Sequence, residues 1–134
     1  DLAELTAFLE SARMDVVGVF GYSDEDGTEA EHLDGHLPEG VVSERVERAT
    51  ALVEELTARR AEERIGESVE VLVESVDLSG EGDGVSGRTA YQGPDVDGIT
   101  TLVLSSADAV PAVGDLVPAV IVASEGVDLL GRLR

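Results

Sequence analysis

Gly66-Glu67-Ser68-Val69-Glu70-Val71-Leu72-Val73-Glu74-Ser75-Val76-Asp77 is the stretch at which the hydrophobic period of the chain changes. Before it, apolar residues recur at helical intervals. From Val69 the spacing drops to two: Val69, Val71 and Val73, followed by Val76, form the first strand, with Glu70 and Glu74 on the face opposite the first three, the pattern of a half-buried strand. Four more short runs follow, at residues 85–91, 99–104, 116–123 and 127–133, separated by Gly, Pro and Asp. Five strands within fewer than 70 residues leave exposed edges unless the sheet closes, so a small closed β-barrel is predicted. Residues 79–84 read as its first hairpin turn. Pro118 has no N–H to give a ladder and is expected at an edge or a bulge.

Working back from Gly66, Val42, Val46, Ala49, Val53 and Leu56 mark one face of a long helix that opens at Pro38 and stops at Gly66, a residue free to take the left-handed conformation. Its other face, Glu44, Arg45, Glu47, Arg48, Glu54, Glu55, Arg59, Arg60, Glu62, Glu63 and Arg64, reads as a solvated surface of mixed sign. Further upstream, Leu2, Leu5, Phe8, Leu9 and Ala12 have helical spacing, and residues 16–20 form a short β-branched run that reads as a buried strand. Residues 21–37 lack periodicity and read as a loop with one helical turn near residues 29–33. The expected fold class is α+β: helix, strand and helix, then the barrel.

The chain has 134 residues, room for one ordinary domain or two very small ones. At 43% apolar residues it can bury a core. Its 29 acidic residues against nine basic ones, all Arg, give a formal net charge of -20. That field repels phosphate, so neither nucleic acid nor an anionic membrane is an expected partner, whereas a basic protein is. Aromatics are only 3%, too few for a base-stacking platform. No run approaches a membrane span and no signal peptide is present, which makes a cytoplasmic setting the default. The first residue is Asp1, within a helical pattern, so the chain reads as part of something longer.

Several patterns carry less than they suggest. His32, Asp34 and His36 lie close in one acidic loop but supply no closed ligand set, and no metal is assigned. Asp77, Ser79, Glu81 and Gly82 match the start of a calcium loop, yet its twelfth position is Arg88, so calcium is rejected. No Gly-Lys-Ser/Thr follows these glycines, and no Ser/His/Asp set can be nominated. No catalytic residue is assigned.

Two stretches resemble a known family. Phe20, Tyr22, Ser23, Gly27, Thr28 and Ala30 stand at the spacing of the last barrel strand and following loop of radical S-adenosylmethionine methylthiotransferases. Residues 67–134 resemble the TRAM domain that ends those enzymes, which implies a five-stranded antiparallel β-barrel of OB-like type, with residues 38–66 as the connector and residues 1–37 as the end of the catalytic barrel. Gly87, Arg88, Pro94, Asp97 and Gly98 follow the pattern of the RimO-type branch, whose substrate is an aspartate of small-subunit ribosomal protein twelve. The tRNA-modifying branch looks Asn-rich after its Gly-Arg.

The resemblance implies a parent enzyme that adds sulfur and methyl at the β-carbon of an aspartate, using two 4Fe-4S clusters and S-adenosylmethionine. Those clusters are held by cysteines, and this chain has none, so no cofactor is expected within it and alone it is expected to be inactive. From Glu67 onward, twelve acidic residues face three Arg, a net of -9, suited to a basic ribosomal protein. The expected substrate contacts are Arg88, Gln92, Asp95 and Asp97. Arg88 reads equally as a rim ion pair, and residues 95–98 as a simple turn. A tRNA adenosine methylthiotransferase and a free-standing acidic binding module stand as alternatives, and self-association of the N-terminal part is expected from its unpaired strand.

Overall fold

The computed structural model describes residues 1–79 and 84–134. Two α-helices, α1 (Leu2–Ala12) and α2 (Glu39–Glu62), precede strands β1 (Ser68–Asp77), β2 (Gly84–Arg88), β3 (Thr100–Val103), β4 (Leu116–Glu125) and β5 (Asp128–Leu133). A single 3-10 turn, Ala30–His32, interrupts the loop between the helices. Most of the expected first hairpin turn, with the Glu81 and Gly82 of the rejected calcium pattern, lies outside the described residues.

The strands close in the order β1-β2-β3-β5-β4. The barrel is mixed rather than antiparallel, because β3 and β5 run parallel from Thr100↔Leu129 to Val103↔Arg132. The reason is parity: around a ring of five strands directions cannot alternate throughout, so one neighbouring pair must be parallel.

The interior is built from alternate positions: Val71 and Val73 of β1, Val85 of β2, Leu102 of β3 and Ala119 of β4 form one buried cluster. Ile121 and Leu129 join Ala61 of α2 in a second, which seats the helix on the barrel. Two bulges keep the alternation in phase. One follows Val73, leaving both Glu74 and Ser75 outside before Val76 turns back in, and the other follows Ile121. Pro118 is not at a bulge. It sits where the β4–β5 ladder runs out, its carbonyl accepting the N–H of Arg134, so the missing N–H faces the same end.

The expected strand at residues 16–20 does not form. These residues join no ladder, and Phe20 is 91% exposed. Hydrophobic β-branched sequence makes a strand only where another strand offers hydrogen bonds, and the described residues offer none here. The amides of residues 16–20 are therefore expected to exchange with solvent far faster than those of residues 69–76. Equal protection in the monomer would show a pairing that this structure lacks.

Candidate functional site

Arg64, which by its spacing belongs to the solvated face of the long helix, is instead buried, at 5% exposure. Helix α2 ends at Glu62 and the chain turns through Gly66, at φ 92, into β1. The turn lays Arg64 against the barrel instead of into water. Its Nη2 pairs with Asp15 and its Nη1 with Glu67 at 3.0 Å. Its guanidinium carbon lies 3.2 Å from the centre of the Tyr91 ring. The Tyr91 hydroxyl donates to Glu67 Oε1 at 2.7 Å, so the base of the stack is tied to the carboxylate that holds the cation. Arg60 adds a second hold on Asp15 at 3.2 Å and pairs with Glu63, which also takes Arg13. The cluster joins the segment after α1, the end of α2 and the barrel.

The arrangement shifts its own titrations. The Tyr91 hydroxyl and then Arg64 hold the Glu67 carboxyl below its ordinary 4.5, while the bond to Glu67 raises Tyr91 above 10.0. A carboxylate depressed on folding adds stability above its ordinary value, lost as pH falls through the folded one. A hydroxyl raised on folding adds stability below its ordinary value, lost as pH rises. Thermal melting is thus expected to hold a plateau near neutrality and to fall on both sides. Glu67→Gln should flatten the acid limb relative to the parent chain, and superimposable acid limbs would show that this carboxylate is not linked to folding.

The four expected contact residues fall into different settings. Arg88 donates from Nε to Glu74 Oε1 at 2.7 Å, the rim ion pair that one reading allowed. The bulge in β1 is what brings Glu74 out to meet it. Gln92 is withdrawn from the surface, at 5% exposure. Its Oε1 accepts from the Thr89 N–H at 3.0 Å and from Thr100 Oγ1 at 2.6 Å. It is a fastener of the barrel end, with Thr89 and Thr100 equally buried. Asp97 accepts the N–H of Gly93 at 2.8 Å and so closes the loop on itself. Asp95 alone of the four is exposed without a partner among the described residues, at φ 66, next to Val96, which is 77% exposed. The structure therefore brings Gln92 and Asp97 together as supports and presents Asp95 at the tip.

The second motif group lies apart from this loop. Phe20 is exposed, and the Tyr22 hydroxyl donates to Asp24 at 2.9 Å. Ser23 is exposed, Gly27 takes φ 80, and Thr28 Oγ1 donates to the Glu25 carbonyl at 2.9 Å. His36 packs edge-on to Tyr22 and lies 3.5 Å from Asp24, so it completes this turn. Among the described residues no cluster of three or more His, Cys, Asp or Glu could hold a metal ion, and no helix is long and apolar enough to cross a membrane.

Sequence reasoning missed Arg64, Asp15, Glu67 and Tyr91. One signal was present: an Arg two residues before a left-handed Gly, where a helix turns into a strand, is carried onto whatever the strand belongs to.

Comparison with known proteins matches residues 65–133 to the TRAM domain family. Over 98% of its length the chain is 64% identical to a protein of Kineococcus radiotolerans and 58% identical to one of Nocardioides sp.. Over the same share it is 55% identical to a protein of Streptomyces coelicolor. All three are named ribosomal protein uS12 methylthiotransferase RimO. The chain spans 26–27% of the length of these relatives. With its closed five-stranded barrel and the matched residues, the chain belongs to the TRAM domain family and resembles, almost from end to end, the C-terminal part of RimO proteins.

Proposed function

We propose that the chain is the C-terminal part of a uS12 methylthiotransferase, in which the TRAM barrel docks the basic protein substrate. On this reading residues 1–37 end the radical S-adenosylmethionine barrel, residues 38–66 connect, and residues 67–134 dock. The names of the relatives support it, as does the net charge of -9 from Glu67 onward. The observation that carries it is the exposed carboxylate of Asp95, raised on a loop whose base is fastened by Gln92 and Asp97. A guanidinium or ammonium of a basic partner can meet it without rearrangement.

The parent reaction would need 4Fe-4S clusters and S-adenosylmethionine. The side chains here do not fit an iron–sulfur cluster, since the sequence has no Cys. The share of this chain in the reaction is docking and orientation.

Binding of the chain to uS12 is expected to be weak and to fall as salt rises, since exposed charges are screened beyond about 8 Å at physiological ionic strength. Asp95→Asn should cost about 0.2–1 kcal/mol of binding. In the full-length enzyme, Asp95→Asn with Asp97→Asn should weaken modification of uS12 and spare uncoupled cleavage of S-adenosylmethionine. Unchanged modification would place docking on another face, and tighter binding of tRNA than of uS12 would move the chain to the tRNA branch.

A further inference from the structure

The geometry points to Arg64 as a positioning residue, which sets the orientation of the TRAM barrel against the segment that follows α1 and so aims the loop formed by residues 92–98. Its consequence for the substrate rests on the docking reading above. The apolar seat of α2 on the barrel is small, with Ala61 against Ile121 and Leu129. Such contact is non-directional and resists separation better than it resists rotation.

The guanidinium supplies the missing direction. One nitrogen faces Asp15 of the N-terminal segment, another faces Glu67 at the foot of β1, and the plane covers Tyr91. A planar fork can satisfy all three only at one setting, whereas an ammonium on a flexible stem cannot reproduce it. Tyr91 stands directly before Gln92, whose Oε1 is locked to Thr89 and Thr100. The ring beneath Arg64 and the base of the Asp95 loop are therefore one rigid piece. Arg60 on Asp15, and Arg13 on Glu63, brace the same junction from the helical side.

The cysteine-free chain allows spin labels at Glu10→Cys and Ser106→Cys without background, one on α1 and one beyond β3. The distance distribution between them is expected to be single and narrow in the parent chain. Arg64→Met should broaden it about twofold or more, with Arg64→Lys in between. Asp15→Ala removes the partner outside the barrel, and with it the Arg60 pair, leaves Arg64 on Glu67 and Tyr91, and should broaden it as well in a chain whose barrel melts normally. Narrow distributions in both Arg64→Met and Asp15→Ala would overturn the inference.

In the full-length enzyme Asp15→Ala and Arg64→Lys should raise KM for uS12 about fivefold or more with kcat and uncoupled cofactor cleavage little changed, a split that general loss of fold would not produce. If the distributions broaden but KM does not move, while Asp95→Asn still raises it, Arg64 does not position the docking loop. If Asp95→Asn leaves KM unchanged too, the docking reading has failed, and the distance distributions alone decide for or against Arg64.

Discussion

Gly87→Ala is expected to destabilise the barrel by about 3 kcal/mol or more, with a fall in melting temperature of about 10 °C or more. Gly87 faces inward on β2, paired with Val73 beside the bulge of β1. A β-carbon there would overlap the carbonyl oxygen of Leu72. It would also lie 2.8 Å from the Leu72 carbonyl carbon and 3.0 Å from Val73 Cα. All three are backbone atoms, so no side chain can swing aside, and relief requires the β1–β2 pair to part. Gly40→Ala is the control: it lies in α2 with nothing within 4 Å of the added carbon. There alanine should be neutral or stabilise by up to about 1 kcal/mol. A Gly87→Ala chain that melts with the parent would mean that the strands are farther apart than described.

Ile121→Ala should cost about 3–4 kcal/mol, near the middle of the range for emptying a buried aliphatic site. Ile121 is fully buried between the barrel and Ala61 of α2. Both of its backbone groups are held by the turn that leads into β1, its carbonyl accepting from the Gly66 N–H at 2.8 Å and its N–H donating to the Glu67 carbonyl at 3.0 Å. The site therefore has little freedom to collapse around the lost atoms. The last turns of α2 should lose hydrogen-exchange protection together with β4. A loss under about 1 kcal/mol would show that the ion cluster at Arg64, rather than the apolar seat, docks the helix.

The barrel was legible because alternation is a local property. Each of the five expected runs overlaps an observed strand, and even the bulge in β1 is written as a slip, since the inward series steps by two to Val73 and then by three to Val76. The parallel β3–β5 pair was also within reach, because an odd ring cannot alternate. Residues 16–20 misled for the opposite reason. Their composition suits a strand, but strand formation is a relation between two segments, and the described residues supply no partner.

In the candidate site, the loop after Tyr91 was found from its residue pattern, but its residues could not be sorted by role. Asp95 and Asp97 look alike in sequence. Only the fold shows that Asp97 turns inward to the Gly93 N–H while Asp95 faces water. Gln92 reads as a surface amide until Thr100, eight residues on, is seen to meet it in the barrel end.

Where the helical period ends, how many strands follow, the one-sided charge and the absence of thiolate ligands can all be read from the residues in order. These follow from backbone periodicity and from counting, which need no third dimension. Which charges leave water depends on how the elements pack. Arg64 is buried because Asp15, 49 residues earlier, and Tyr91, bound to a Glu67 that lies 24 residues before it, converge on its two nitrogens and its face. The desolvation of a cation is offset by the partners that surround it, and those partners are assembled by the packing of α2 on the barrel.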